Sequence, residues 1–433
     1  MLTNILHLSS YNYGNIAYVF LCTILVFFMT PGLAFFYGGL VRKKNSLTIM
    51  AKIFLAIGVV GVMWIFGGFS LVFGKDIGGV IGNPLQYFGF HHLLFDVNTH
   101  YSASVPFVMF FMYQLMFAII TLPLMTGATA NRMTMGGWIK FLIVWMILVY
   151  FPVAHWIWGG GFLAKLGFVD FAGGTVIHIT AAFSGLVALW FFGKRVDGLK
   201  TDKPSNLGLV GVGAALLLFG WYGFNAGGTM SANDTAAIVF TNTGVAAIIA
   251  MIVWTIISYF HDGHHFSFLQ PLVGAVAGLA TITPASGYVT PRGAIIIGVL
   301  AAIICYLCVL FADKMGWDDA LDVWGVHGMG GLTGTLLIGF LANPLVNGVH
   351  AGIHQFLIQL AGVVIVVVYT MIVTWLILFV LDKITTIRTT SQQQKDGLDK
   401  SLLDEQYFGF KITNKNNSTN TVKTTNSEEK EDN

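Results

Sequence analysis

Long apolar runs alternate with short polar breaks along most of this chain. They fall at 16–40, 47–73, 103–127, 138–158, 171–193, 207–229, 236–260, 266–283, 293–312, 323–341 and 353–381. About 20 apolar residues carry an α-helix across a bilayer, so each run is long enough to span. The pattern predicts an all-α polytopic membrane protein with eleven transmembrane helices, whose termini face opposite sides. The eighth run is short and interrupted by polar residues, so its ends are the least defined. After Asp382 the pattern turns polar, and from Asn414 it is mostly Asn, Thr, Ser, Lys and Glu, a composition that buries no core. The expected division is a membrane domain over 1–385, a cytoplasmic regulatory tail over 386–413 and a disordered polar tail over 414–433.

Composition agrees with the pattern. Hydrophobic residues make up 56% of the 433, charged residues only 10%, and the mean hydropathy is +0.76. A soluble protein of this length is far more polar. All four glutamates (Glu405, Glu428, Glu429 and Glu431) lie in the tail, so the body holds aspartates as its only acids. A net charge of +2 gives no reason to expect nucleic acid. Cys22, Cys305 and Cys308 all sit in apolar runs, which reads as packing and argues against a disulfide framework. No basic segment precedes the first run, so no cleavable signal peptide is expected.

The basic residues orient the chain. With the N-terminus outside, the inner loops and helix ends hold Arg42, Lys43, Lys44, Lys52, Arg132, Lys140, Lys194, Arg195, Lys200, Lys203 and Lys314. The outer loops keep Lys75, Lys165 and Arg292. A plasma-membrane location is expected, and there the excess of cationic residues predicts an N-terminus outside and a C-terminus in the cytoplasm.

Two apolar runs carry a histidine in matching contexts. His178 begins His-x5-Ser184-Gly185 in the fifth run, and His327 begins His-x5-Thr333-Gly334 in the tenth. On a helix, His178 shares its face with Gly174, Ala181, Ala182 and Gly185, and His327 shares its face with Gly330, Gly331 and Gly334. Small residues allow another helix to approach closely, and an ionisable side chain inside a membrane is a functional candidate. Two hydrogen-bonded packing histidines would leave the same signature. A five-run unit repeated once reverses its direction, so the recurrence also predicts a five-plus-five inverted repeat with an additional C-terminal helix.

Aromatic residues supply further candidates. Tyr113 and Phe117 share a face of the third run, Trp158 closes the fourth, and the sixth carries Trp221-Tyr-Gly-Phe224-Asn-Ala-Gly-Gly228. Aromatic faces attract small cations, although such residues also fill cores and mark membrane interfaces. Asp170 precedes the fifth helix, where a carboxylate caps free N–H groups. A buried negative charge near the mouth would also favour a cation. Eight residues separate it from His178, about 12 Å along a helix, so direct contact is not expected. In the second half, Asp322 is read as a packing or capping group.

The stretches Asp170-Phe-Ala-Gly-Gly-Thr-Val-Ile-His178, Gly220-Trp-Tyr-Gly-Phe224-Asn-Ala-Gly227 and Gly325-Val-His327-Gly closely resemble the ammonium transporter family, Amt/MEP/Rh, and its bacterial-type Amt members most. The resemblance covers roughly residues 15–385. It implies a homotrimer in which each subunit conducts ammonium or ammonia through its own pore, without a cofactor and without enzymatic chemistry. It implies His178 and His327 as twin pore histidines, Phe117 and Phe224 as a stacked gate, and Trp158 with Phe117 as cation-recruiting aromatics. Tyr113 falls at a further aromatic of the gate region and Asp170 at the acid near the mouth.

Two departures from the family pattern stand out. Many members have serine where this chain has Gly228, which leaves Thr229 as the nearest hydroxyl for a recruited cation. In the tail, Gly397-Leu-Asp399 with Glu405 and Tyr407 resembles the family's cytoplasmic motif, but Leu403 and Asp404 replace its His-Gly pair. That motif implies a possible PII-type regulatory partner. Apolar anchors in 397–410 also predict docking of this segment on the inner face.

Physical chemistry gives the pore its expected mechanism. A bare ammonium ion in an apolar lumen costs tens of kcal/mol by idealised solvation, whereas neutral ammonia passes cheaply. Deprotonation on entry is therefore expected. Two facing imidazoles hold at most one proton between them and still offer a ring nitrogen to ammonia or to a proton relay. A bis-histidine haem protein and an ammonium sensor with little transport are the competing readings.

Overall fold

The computed structural model describes residues 11–94, 97–196 and 204–407. The expected disordered stretch over 414–433, the end of the expected regulatory tail and the inner-loop residues Lys200 and Lys203 lie outside them.

Nine helices among the described residues are long and apolar enough to span a membrane: α1 Tyr13–Leu40, α2 Lys43–Phe73, α3 Phe107–Thr126, α4 Met135–Lys165, α5 Gly174–Phe192, α6 Leu207–Thr229, α7 Asp234–His261, α9 Pro291–Lys314 and α11 Ile353–Ile384. Between them lie two shorter helices, α8 Leu269–Ile282 and α10, which runs over 324–341. The chain is thus an all-α multi-pass membrane protein. The helices begin where the sequence supplies caps. Asn12, Thr134, Asn206, Asn233 and Thr290 each accept a hydrogen bond from a backbone N–H in the first turn that follows. A small β-hairpin, β1 Asp76–Ile77 with β2 Ile81–Gly82, follows α2.

Corresponding helices of the two halves meet at the centre. α1 packs along α6, and α5 packs against α10, as a five-plus-five arrangement requires, while α11 lies across α4, α5 and α10. Close approach depends on missing side chains. A Cβ on Gly213 of α6 would lie 2.2 Å from the Phe36 nitrogen of α1, and one on Gly331 of α10 would lie 2.5 Å from the Gly174 oxygen of α5. In lipid, where apolar surface gains little by meeting apolar surface, such backbone contact is a main source of helix association. The outward faces accordingly present large apolar groups such as Phe219, Phe240, Ile248 and Trp375.

The tail segment 386–407 lies against one end of this bundle. Asp399 accepts hydrogen bonds from the backbone N–H groups of Leu47 and Thr48 and from the Thr48 hydroxyl, at 3.1, 2.7 and 2.8 Å. The Leu398 N–H donates to Asn45 Oδ1 at 2.9 Å. The expected docking of this segment is therefore seen for residues 397–407, and 408–410 lie outside the described residues. Below, this end is the tail side and the opposite end is the Trp158 side.

Candidate functional site

Both histidines emerge from widened turns. Gly174–Ile179 and Trp324–Gly328 are π-helical, each inside the first stretch of its helix, and each turns its histidine toward the same axis. The rings lie 28° from parallel with centroids 5.2 Å apart, and the two Nδ1 atoms are 3.3 Å apart. One Nδ1–H donates to the other Nδ1, so the rings hold complementary tautomers. His178 Nε2 is buried without a protein partner. The ring also borders a constriction of about 10 Å³ lined by Met29, Leu33, Ile120, Leu217, Trp221 and Phe224, room for a water-sized molecule at most.

Toward the Trp158 side the constriction is shut by aromatic rings. Phe117 of α3 and Phe224 of α6 stack with centroids 4.3 Å apart and planes 23° from parallel, and both are buried. Trp158 meets Phe117 edge to face at 6.0 Å, and Tyr113 packs on Phe117 at 4.9 Å. The Tyr113 hydroxyl donates to the Phe224 carbonyl at 2.6 Å, so it ties α3 to α6 at the level of the stack.

Asp170 is a cap. Its Oδ1 accepts from the N–H groups of Gly173 and Gly174 at 2.8 Å each, and its Oδ2 accepts from Thr175 at 2.7 Å and Val176 at 3.1 Å. These bonds fix the start of the π turn that presents His178. The residue reaches the aromatic site through its backbone, because the Trp158 indole N–H donates to the Asp170 carbonyl at 2.8 Å. Thr229 is half-buried, and its hydroxyl proton is directed at the carbonyls of Ala226 and Ser231, 2.9 and 2.8 Å away. Beside it, Gly228 is exposed, with the Phe171 ring 3.3 Å from where a Cβ would stand.

Two residues with parts in this geometry receive no specific role from the sequence. Trp221 lies nearly parallel to His178 at 5.5 Å, held by an indole N–H to Thr283 Oγ1 bond of 2.8 Å. Its neighbour Phe224 attracted attention, but the register that turns Trp221 onto the imidazole is tertiary. The second is Asp319. The capping reading of Asp322 in the second half does not hold, since Asp319 Oδ2 accepts from the Trp324 N–H at 2.9 Å. Asp322 has a left-handed backbone, φ 52°, so the helix starts after it. The available signal was spacing: Asp319 precedes His327 by the same eight residues that separate Asp170 from His178.

The same arrangement of sequence and fold is found in known proteins. The profile of the Ammonium Transporter Family matches residues 17–408. An ammonium transporter of Aquifex aeolicus (strain VF5) is 43% identical over 408 residues, which is 92% of this chain and 94% of that protein. The crystal structure of Saccharomyces cerevisiae Mep2 superposes with a TM-score of 0.83 at 33% identity, covering 88% of this chain and 89% of that one. A structure described as a sensor Amt protein superposes with a TM-score of 0.82 at 28% identity, covering 90% of this chain and 98% of its own. The chain belongs to the ammonium transporter family.

Proposed function

We propose that this protein carries ammonium across the plasma membrane by recruiting the cation at Trp158, separating it from its proton and passing ammonia along His178 and His327. The observation that carries this reading is the Nδ1 contact of 3.3 Å between the two histidines, inside an apolar constriction behind a closed aromatic stack. A hydrated cation has no room there, and a bare one would lose its hydration for few polar partners. Neutral ammonia fits, accepts from an N–H and donates to a ring nitrogen.

The remaining residues divide the work. Trp158 and Phe117 offer ring faces to a cation at the mouth. Thr229 Oγ1 accepts from it through lone pairs not used by its own proton, and Tyr113 holds the gate in register. Phe117 and Phe224 swing apart to admit the substrate. Asp170 acts by shaping the π turn and by fixing the Trp158 indole. The proton released at the gate passes along the imidazole pair, which changes tautomers as it does so. Three such subunits assemble, with N-termini outside and the docked tail in the cytoplasm, where a PII-type protein has access to it.

Two ring nitrogens in direct contact leave no space for a macrocycle, which disfavours the haem reading. The sensor reading is favoured by one observation, the likeness to a structure described as a sensor Amt protein. Ammonium pulses on proteoliposomes separate it from transport. Vesicles holding the purified protein are expected to show an ammonium-dependent current or lumenal pH change that protein-free vesicles lack. A protein that binds ammonium without either response contradicts the transport reading.

A further inference from the structure

Between α5 and α11, on the outward face of the bundle, lies a groove of about 480 Å³ whose walls include Val187, Trp190 and Phe191 of α5 with Ile372, Trp375 and Leu376 of α11. Exposed apolar residues are ordinary on a face that meets lipid, and Trp190 at 54% and Trp375 at 47% exposure mark this face as one. The groove is set apart by its tail-side end, where two cations stand over aromatic rings that continue the wall. The Arg388 guanidinium lies 4.6 Å from the centroid of the Phe191 ring and 5.1 Å from that of Phe192. On α11, Phe379 stacks on Trp375 at 5.2 Å, and Lys383 Nζ lies 5.8 Å from the Phe379 centroid. Trp375, Phe379 and Lys383 recur at every fourth position, so one stripe of α11 leads from the groove to the lysine.

The protein answers these cations only in part. Arg388 Nε lies 3.1 Å from Asp382 Oδ1, and its Nη2 donates to the Phe191 carbonyl at 3.1 Å, which holds the guanidinium at the end of the groove. Asp382 therefore offsets part of its charge. Lys383 is exposed, and among the described residues no carboxylate lies within ion-pair distance of it. Basic side chains at the end of a membrane helix meet the headgroup layer, where anionic lipids supply the missing charge. Size narrows the occupant further. A helix, roughly 10–12 Å across, fills about 500 Å³ in a single turn, so a helix of another subunit has no room here, whereas a flexible acyl chain follows the groove. The body of the chain also brings no glutamate to its surfaces, so a second copy is poorly furnished to meet two cations.

We propose that this groove seats an acyl chain of a phospholipid in the tail-side leaflet, with its anionic headgroup held by Lys383 and Arg388. The cations take the phosphate, so phosphatidylglycerol is preferred to phosphatidylcholine, whose choline opposes them. The Phe191 and Phe379 rings fix both cations at the depth where acyl chain gives way to headgroup, as aromatic belts do. The seat does not depend on the transport reading.

The test places the full chain in phosphatidylcholine vesicles doped with phosphatidylglycerol or phosphatidylcholine carrying the same photoreactive acyl chain, and maps the labelled residues by mass spectrometry. At equal doping, phosphatidylglycerol is expected to label the groove residues of α5 and α11 about fivefold more, the effect of roughly one net cation beside the headgroup. Lys383→Gln with Arg388→Gln should remove that preference. Should the double variant fail to assemble through loss of the Phe191 bond, Lys383→Gln alone, at an exposed site, should cut the preference to about twofold or less. Ile372→Trp, which fills the groove, should reduce labelling there by both lipids. Equal labelling of the wild type by the two lipids overturns the proposal, as does a preference that survives in the folded variants. Loss of the preference in inorganic phosphate, but not in chloride of the same ionic strength, assigns the cations to a free anion and overturns it too. So does a groove shielded from both labels and cross-linked to a second copy.

Discussion

Nδ1 of His178 lies 3.3 Å from Nδ1 of His327, although 149 residues separate the two in sequence. The contact follows from small features on both sides. Gly331 lets α10 approach until the site of its missing Cβ is 3.0 Å from the His178 Cβ. The π turns then rotate each imidazole into the axis. Paired in this way, each ring needs the other to satisfy one nitrogen, and His178 Nε2 has no protein partner.

Asp170 gives the first prediction. Alanine there would strip four buried backbone N–H groups of their acceptor, and each unpartnered group costs about 1–3 kcal/mol. Asp170→Ala should lower the melting temperature of the solubilised protein sharply, and Asp170→Asn should lower it less. A variant of wild-type stability that merely needs more ammonium for half-saturation would show that the carboxylate meets the substrate directly.

Restoring the family hydroxyl is a gain-of-affinity test. Gly228→Ser places a Cβ 3.3 Å from Phe171 Cε1, so the ring must yield by a few tenths of an ångström. The new acceptor faces a partly desolvated cation and should contribute about 1 kcal/mol net, a fall of about fivefold in half-saturating ammonium. Unchanged or weaker affinity would mean that Thr229 and the rings already suffice.

On the Trp158 side, Asp76 ties β1 to α4. Its Oδ1 lies 2.9 Å from His155 Nε2 and its Oδ2 lies 2.5 Å from Lys165 Nζ. These partners, His155 foremost, hold its carboxyl down from 3.8 to about 2. A depressed acid stabilises the fold above its ordinary value and loses that contribution as pH falls through the folded value. The stability difference between wild type and Asp76→Asn should therefore be constant above about pH 5 and shrink between about pH 4 and 2. A difference that does not change over that range would show that the contacts contribute nothing.

Orientation is tested by labelling. Lys75 and Lys395 are exposed at opposite ends of the bundle, while Cys22 and Cys305 are buried and Cys308 half-buried. With the N-terminus outside, Lys75→Cys should react with an impermeant maleimide in intact cells and Lys395→Cys only after permeabilisation. The reverse pattern would exchange the recruiting and releasing mouths.

Much of this architecture was legible in the chain. The apolar runs, the matched histidine contexts and the acid eight residues before His178 are local patterns, and the helices, the ring pair and the Asp170 cap follow them. The resemblance of Gly220–Gly227 to a known family marked Phe224, because the stacking partner of a phenylalanine cannot be read from its own helix. What escaped depends on tertiary placement. Nothing in Gly174–Ile179 announces a π turn, and nothing in the sixth run says which aromatic ring faces His178. The irregular loop before α10 hides the start of that helix, so Asp322 reads as a packing or capping group and Asp319, which accepts from the Trp324 N–H, goes unmarked. Lys52 belongs here too: its place near the inner end of the second run reads as that of an inner-side cation, yet it is buried and donates to the Met133 carbonyl at 2.8 Å.

The central claim is that His178 and His327 carry the proton released from ammonium. It is tested most directly by ammonium-evoked current in proteoliposomes holding equal amounts of assembled wild type and the double variant His178→Ala, His327→Ala. Small faces around both rings should let the variant fold and assemble. Its current should fall at least about a hundredfold, as expected when the imidazole relay across an apolar lumen is removed, even if neutral ammonia still leaks through. Wild-type current in the correctly assembled double variant would contradict it.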